Sequence, residues 1–72
     1  MIQNGLYKHY KGHIYYVLGI SKHSETLEEL VVYKAMYGDF DLWTRPVLMF
    51  EELVKVNDEM VPRFTRISVG KI

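Results

Sequence analysis

Four consecutive apolar residues, Leu30-Val31-Val32-Tyr33, constrain this chain more than any other stretch. They are entered from a polar, acidic segment, His23 to Glu29, and the run is stopped by Gly38. A chain of 72 residues has only a small core, so the rest must be arranged around a run this dense. Two conformations compete for it. Thr26-x-x-Glu29 matches a capping box, and Leu27, Leu30, Val31 and Ala35 roughly follow helical spacing, which would give a helix from Leu27 to Met36. Val31-Val32-Tyr33 instead prefer an extended backbone, and little length remains before Gly38. A strand is the preferred reading.

The flanking segments also read as short strands. Leu6 to Tyr10 is rich in aromatics, and Lys11-Gly12 after it is a hairpin signal, expected to pair Tyr10 with His13. His13 to Ile20 carries Ile14, Tyr16, Leu18 and Ile20 at period two, with a second face (Tyr15, Val17) partly covered. Gly19 inside that strand marks a bulge or sharp bend. Ser21 to Glu29 is a polar loop. Tyr37 to Asp41 reads as a turn in which Gly38 is free to take positive φ. Leu42 to Arg45 is a strand ended by Pro46, which lacks a donor and biases Arg45 to extended geometry. Val47 to Glu52 suggests one helical turn, Leu53 to Val56 alternates weakly, and Asn57-Asp58 gives a further turn. Val61 to Ile67 is the last strand, with Pro62 placing its start on an edge or at a bulge, and residues 68–72 are expected to fray. Short strands, tight turns and one helical turn predict a mainly β fold. The count fits a small five-stranded SH3-like barrel over residues 1–72, with its core at about 5–67.

Charge is balanced overall but unevenly placed. The formal net charge is zero. The first 24 residues hold Lys8, Lys11 and Lys22 and no acid, all nine acids fall between Glu25 and Glu59, and Arg63, Arg66 and Lys71 follow. Zero net charge argues against indiscriminate nucleic-acid binding. The acid-free ends still offer a basic face if the first and last strands are neighbours: Lys8, Lys11, Arg63 and Arg66. The chain has no cysteine, which excludes disulfide staples and thiolate metal sites and suits a reducing cytoplasm. No apolar run approaches the ~18 residues of a membrane span, and the first residues lack the apolar core of a secretory signal. A cytoplasmic protein without membrane contact is therefore expected.

Ordered motifs along the chain carry a resemblance. They are Gly5-x-Tyr7-x-His9-Tyr10-Lys11-Gly12, Tyr16-Val17-Leu18-Gly19, His23-Ser24-Glu25-Thr26, Leu30-Val31-Val32-Tyr33, Tyr37-Gly38, Trp43-x-Arg45-Pro46, Met49-Phe50 and Pro62-Arg63-Phe64. Together, over about residues 5–66, they resemble a bacterial family known as domain of unknown function 1653. The resemblance implies a small SH3-like barrel in a bacterial cytoplasmic protein, free-standing or appended to other domains. It implies no activity. The sequence departs from the family pattern at His13 and at Asn57-Asp58-Glu59, where an Asp-Gly turn is common.

Few residues suggest chemistry. His23-Ser24-Glu25 contains a base, a hydroxyl and a carboxylate, but neighbours on an extended chain point to opposite sides and cannot align as a triad. A loop whose polar side chains bond nearby amides is the plainer account, with contact to a ligand as the other. His9, His13 and His23 are the conceivable metal ligands. With Tyr10 paired to His13, however, His9 and His13 would project to opposite faces, so no metal site and no cofactor is expected. Six tyrosines exceed what a small core can satisfy, since each buried hydroxyl needs a partner, so some should line a surface. Trp43 beside Arg45 is either core or an exposed anchor, these two residue types leading among interface hot spots. The candidate ligand-binding set is His9, His23, Glu25, Tyr33, Trp43 and Arg45. No catalytic residue is assigned and no enzyme is expected. The leading expectation is a non-catalytic binding module for a protein segment or an anionic ligand. The alternative is an RNA-binding small barrel using the basic ends. Far-UV circular dichroism checks the fold: strand should dominate with at most a turn or two of helix, and a helix spanning Leu27 to Met36 would overturn it.

Overall fold

The computed structural model describes residues 2–67, so the expected fraying of 68–72 lies outside the described residues. In chain order the elements are β1 (Gly5–His9), β2 (Ile14–Lys22), β3 (Glu29–Ala35), β4 (Leu42–Pro46), α1 (Val47–Phe50), β5 (Leu53–Val56), β6 (Glu59–Pro62) and β7 (Phe64–Arg66). The protein is mainly β with one short helix. The Leu30–Tyr33 run is strand, inside β3. Its Val31 is completely buried and Tyr33 nearly so. Tertiary burial of alternate residues on one face overrides the capping-box signal.

Five strands form one antiparallel sheet in the order β4-β3-β2-β1-β7, and β5 pairs with β6 in a second. The first and last strands are neighbours as expected, with Tyr7 opposite Arg66 and His9 opposite Phe64. The expected five-stranded barrel does not close among the described residues, because the two sheets share no ladder there. The stretch expected as one strand, Val61 to Ile67, divides into β6 and β7 at Arg63. Pro62 has no N–H to offer, and the chain turns a corner there. The Arg63 N–H donates to the Glu52 carbonyl at 3.0 Å, extending the β5–β6 ladder. The Arg63 carbonyl accepts from the Tyr10 N–H at 2.9 Å, extending the β1–β7 ladder. One residue thus ties the two sheets together.

Strand β2 differs from expectation in which face it buries. Tyr15 and Val17 point to the core, while Tyr16 and Leu18 lie on the outer face and are exposed. The irregularity at Gly19 is the expected bulge: Val17 pairs with Tyr33 and Gly19 with Val32, leaving Leu18 as the extra residue. Beyond it Ile20 pairs with Val31 and so shares its side of the sheet, but it stays exposed at the sheet's end. The extra residue explains why period two failed to identify the buried face.

Helix α1 is a single turn. Pro46 precedes it with φ −51° and ψ 139°, and its one buried residue is Phe50. Phe50 joins Tyr7, Val17, Val31, Tyr33 and Phe64 in the core cluster, with Ile2, Tyr15 and Val47 packed against it. Among the described residues no helix is long and apolar enough to cross a membrane.

The β5–β6 hairpin has a two-residue loop, since Val56 pairs with Glu59. Asn57 and Asp58 both have positive φ, 49° and 65°, the type I′ geometry in which glycine is preferred at the second position. The Lys55–Asp58 ion pair is 3.8 Å long and exposed, and so contributes little. Asp58→Gly is therefore expected to stabilise the domain by roughly 0.5–1 kcal/mol. The measurement is a rise in the urea midpoint at unchanged slope.

Candidate functional site

The core-facing side of the five-stranded sheet is only partly covered. Alternation places Tyr7 and His9 of β1, Tyr15 and Val17 of β2, Val31 and Tyr33 of β3, Trp43 and Arg45 of β4 and Phe64 of β7 on that side. Phe50 caps one part. Beside it a cleft of about 190 Å³ is lined by Tyr15, Tyr33, Trp43 and Arg45. Trp43, opposite Tyr33 in the ladder, is 52% exposed. It is therefore a surface residue and not a core one. Arg45 is half-buried. Its Nε donates to the Tyr33 hydroxyl at 3.3 Å, and its guanidinium carbon lies 6.0 Å from the Phe64 ring centre. Among the described residues no carboxylate is within ion-pair reach of Arg45.

Aromatic rings form the floor and rim. Tyr15 sets its ring edge-to-face against Tyr33, Phe64 and Tyr37, with centroids 5.4, 5.7 and 5.6 Å away. The Tyr15 and Tyr37 hydroxyls share a hydrogen bond of 2.7 Å. Burial and that hydrogen bond push the Tyr15 phenol up to about 12, so it stays neutral over the physiological range. His13 stacks on Tyr37 at 4.1 Å. His9 lies 5.0 Å from Phe64 and 6.3 Å from Tyr15, and its Nδ1 accepts from the Lys11 N–H at 3.1 Å.

Of the six residues expected to bind ligand, Tyr33, Trp43 and Arg45 come together and His9 stands beside them. His23 and Glu25 do not. They occupy the tip of the β2–β3 hairpin, beyond Lys22, while the cleft lies toward the opposite end of β2. There the His23 Nδ1 accepts from the Glu25 and Thr26 N–H groups at 3.1 and 3.3 Å, and Thr26 Oγ1 accepts from the Glu28 N–H. The imidazole itself organises the loop. Tyr15, which lines the cleft, and Tyr37, its hydrogen-bond partner, are not among the candidates the sequence offers. Their place follows only from the true register of β2, which the run of alternating residues did not reveal.

The basic set also disperses, although its strands are adjacent. Lys8 alternates with the buried Tyr7 and shares the outer face with Thr65. Arg66 donates to the Asn4 carbonyl at 3.3 Å. Arg63 is bridged to Glu52 at 2.7 Å, an acid supplied from the segment after α1. Lys11 lies in the β1–β2 turn, its ammonium 5.8 Å from the Tyr10 ring centre. What remains positive around the cleft is Arg45, with Arg63, Lys11 and His13 near enough to repel a proton from His9.

The hairpin register corrects one expectation about the histidines. Lys8 pairs with Ile14, so His9 stands opposite His13, not on the other face, and the His9 N–H donates to the His13 carbonyl at 2.9 Å. The turn takes three residues, with Gly12 at φ 110°, which moves the pairing by one position. The third histidine remains at the far hairpin tip, and among the described residues no group of three metal-ligating side chains is assembled.

A second depression has the opposite charge. Ile2, Ile20, Glu29, Val47 and Glu51 line one part, and Glu28 and Leu48 continue it past Glu29 and Val47. The molecule thus has an aromatic, cationic cleft and, separately, an acidic apolar trough.

A small antiparallel β domain with an aromatic cleft around one arginine is the class that this geometry defines. The chain belongs to the family described as protein of unknown function (DUF1653), whose model matches residues 5–66. It is similar to the crystal structure of a DUF1653 protein from Bordetella bronchiseptica, with 32% identity over 99% of this chain and 94% of that one and a TM-score of 0.86. No curated protein matches the chain.

Burial, and then the positive charges of Arg63, Arg45, Lys11 and His13, lower the His9 pKa from its ordinary 6.5. The unfolded chain therefore takes up this proton before the folded one does. The resulting stability is complete above pH 6.5 and is lost as pH falls below it, toward the lowered folded value. Urea unfolding from neutral pH down to about 5 should show a decline that is shallower in His9→Gln than in the parent.

Proposed function

We propose that this protein is a non-catalytic binding module and that the Tyr15–Tyr33–Trp43–Arg45 cleft is its ligand site. The observation that carries this reading is Arg45. A guanidinium held in place by a tyrosine hydroxyl, set beside the exposed Trp43 and the half-buried Tyr15 and unpaired with any carboxylate among the described residues, is arranged for an anion. The cleft's other polar groups are phenols, and Tyr15 is held neutral. Tyr15 therefore suits hydrogen bonding and ring contact, not proton transfer near neutral pH.

The dispersal of the basic set weighs against the RNA reading. A strand of nucleic acid needs a cationic groove that follows its backbone, together with stacking surfaces. Here Arg63 is neutralised by Glu52, Lys8 faces the other side of the sheet, and Arg66 is engaged near Asn4.

Trp43 is the one tryptophan of the chain and lines the cleft, so its fluorescence reports on the site. Benzoate, which combines a carboxylate with a flat apolar ring, is the probe. Saturable quenching or a spectral shift is expected, with affinity falling roughly tenfold in Arg45→Gln, the loss of one charged hydrogen-bond partner. No saturable change, or equal binding by parent and variant, would defeat the proposal.

A further inference from the structure

Strand β4 is an edge of the five-stranded sheet, and its Leu42, Trp43 and Thr44 are all exposed. The direction of its backbone groups follows from the ladder. The Ala35 N–H donates to the Asp41 carbonyl, so residues 35 and 41 form a hydrogen-bonded pair. Antiparallel pairing alternates, which makes Tyr33–Trp43 and Val31–Arg45 the next hydrogen-bonded pairs in the observed register. The N–H and C=O groups of Leu42 and Thr44 therefore point away from β3, off the edge of the sheet. Pro46 fits the same alternation, since its donorless nitrogen falls at an outward position.

The same strand supplies two walls of the cleft. Trp43 and Arg45 present their side chains to it, while Leu42 and Thr44 present backbone to the open edge. An extended chain lying along β4 would use both at once. Its backbone would pair with Leu42 and Thr44, and its alternate side chains would fall beside Trp43 and Arg45. The cleft, at about 190 Å³, is smaller than the roughly 300–1,000 Å³ usual for whole small-molecule ligands, and is closer to the size of one side chain. Its charge specifies which side chain: Arg45 has no carboxylate partner among the described residues.

We infer that β4 is a docking edge for an extended acidic peptide segment, which adds as a sixth strand and places a carboxylate on Arg45. The inference rests on the cleft being a binding site and adds the partner's class and its mode of attachment. A second copy of this chain paired on the same edge is the competing occupant, and concentration-dependent protection of the Leu42 and Thr44 amides in the free protein would overturn the inference.

The test uses the full chain and three probes: a blocked Val-Glu-Val-Glu-Val peptide, the same peptide with alternate amides N-methylated, and a short oligouridylate. The unmodified peptide is expected to bind and to slow amide exchange at Leu42 and Thr44. Trp43 and Arg45, whose amides already bond to β3, should change little. N-methylation on the pairing edge should weaken binding roughly tenfold or more, the loss of strand hydrogen bonds. Thr44→Pro, a substitution tolerated at an outward edge position, should have the same effect while benzoate binding persists. Equal binding of the two peptides would overturn the strand-addition inference and leave the anion site standing. Tighter binding of oligouridylate would overturn it in favour of a nucleic-acid ligand. Failure of all three probes, with benzoate still bound, would overturn it without touching the cleft. Failure of benzoate as well would remove the proposed site itself.

Discussion

Phe50 and Phe64 lie face to face, their ring centres 4.1 Å apart and their planes within 3° of parallel. The rest of the structure depends on this contact. Among the described residues no backbone ladder joins β4 to β5, and the two sheets meet through hydrogen bonds of the single residue Arg63. The core-facing side of an open, twisted sheet would otherwise be wet. Phe50, delivered by the one helical turn after Pro46, covers it and brings the chain back toward β7. Tyr7 and Tyr33 set their edges against Phe50 at 5.4 and 5.5 Å, and Tyr33 and His9 do the same to Phe64. Such pairs contribute roughly 0.5–1.5 kcal/mol each beyond the area they bury. In a domain of this size, with few fully buried aliphatic side chains, that increment is a large share of net stability.

A core built from tyrosines must provide for their hydroxyls, and the partners it provides create the site. The Tyr7 hydroxyl donates to the Gln3 carbonyl at 2.8 Å and accepts from the Gln3 N–H, which anchors the chain ahead of β1. The Tyr33 hydroxyl accepts from Arg45, and the Tyr15 hydroxyl pairs with Tyr37. The last two fix the walls of the cleft. The cleft is thus a consequence of satisfying phenol hydroxyls at the border of an aromatic core.

Much of this architecture was legible from the sequence, and what was not legible has one physical cause. The strand at Leu30–Tyr33, the bulge at Gly19, the positive φ of Gly38 at 58°, the helical turn after Pro46 and the Asn57-Asp58 turn all follow from residue types with strong local preferences. Register does not. A one-residue difference in the β1–β2 turn put His9 and His13 on the same face, and an extra residue at Leu18 reversed which side of β2 is buried. Each inverts the face assignment of everything beyond it. Hence Trp43, Arg45 and Tyr33, linked by adjacent strands with regular pairing, were named as site residues, while Tyr15 and Tyr37 were not. His23 was named for its chemistry, although that chemistry serves its own loop.

The two half-buried arginines show what the cleft costs and why it stays open. Arg63, at the corner between the sheets, has a carboxylate at 2.7 Å and its side chain is 19% exposed. Its guanidinium neutralises Glu52 and helps hold β5 against β7, a structural use of charge. Arg45 sits on the same aromatic surface, over Phe64, yet among the described residues receives only a neutral hydroxyl. Partial burial of a cation without a counter-charge is unfavourable, and the same cation also disfavours protonation of His9. A neighbouring acid would remove both penalties, and the nine acids of the chain are numerous enough to have supplied one. An acid at that position would also occupy the guanidinium. On the binding reading proposed above, an incoming carboxylate would meet a preoriented, partly desolvated cation that has no carboxylate partner among the described residues. Such a bond, formed only on binding, would be stronger than the same contact made in open water.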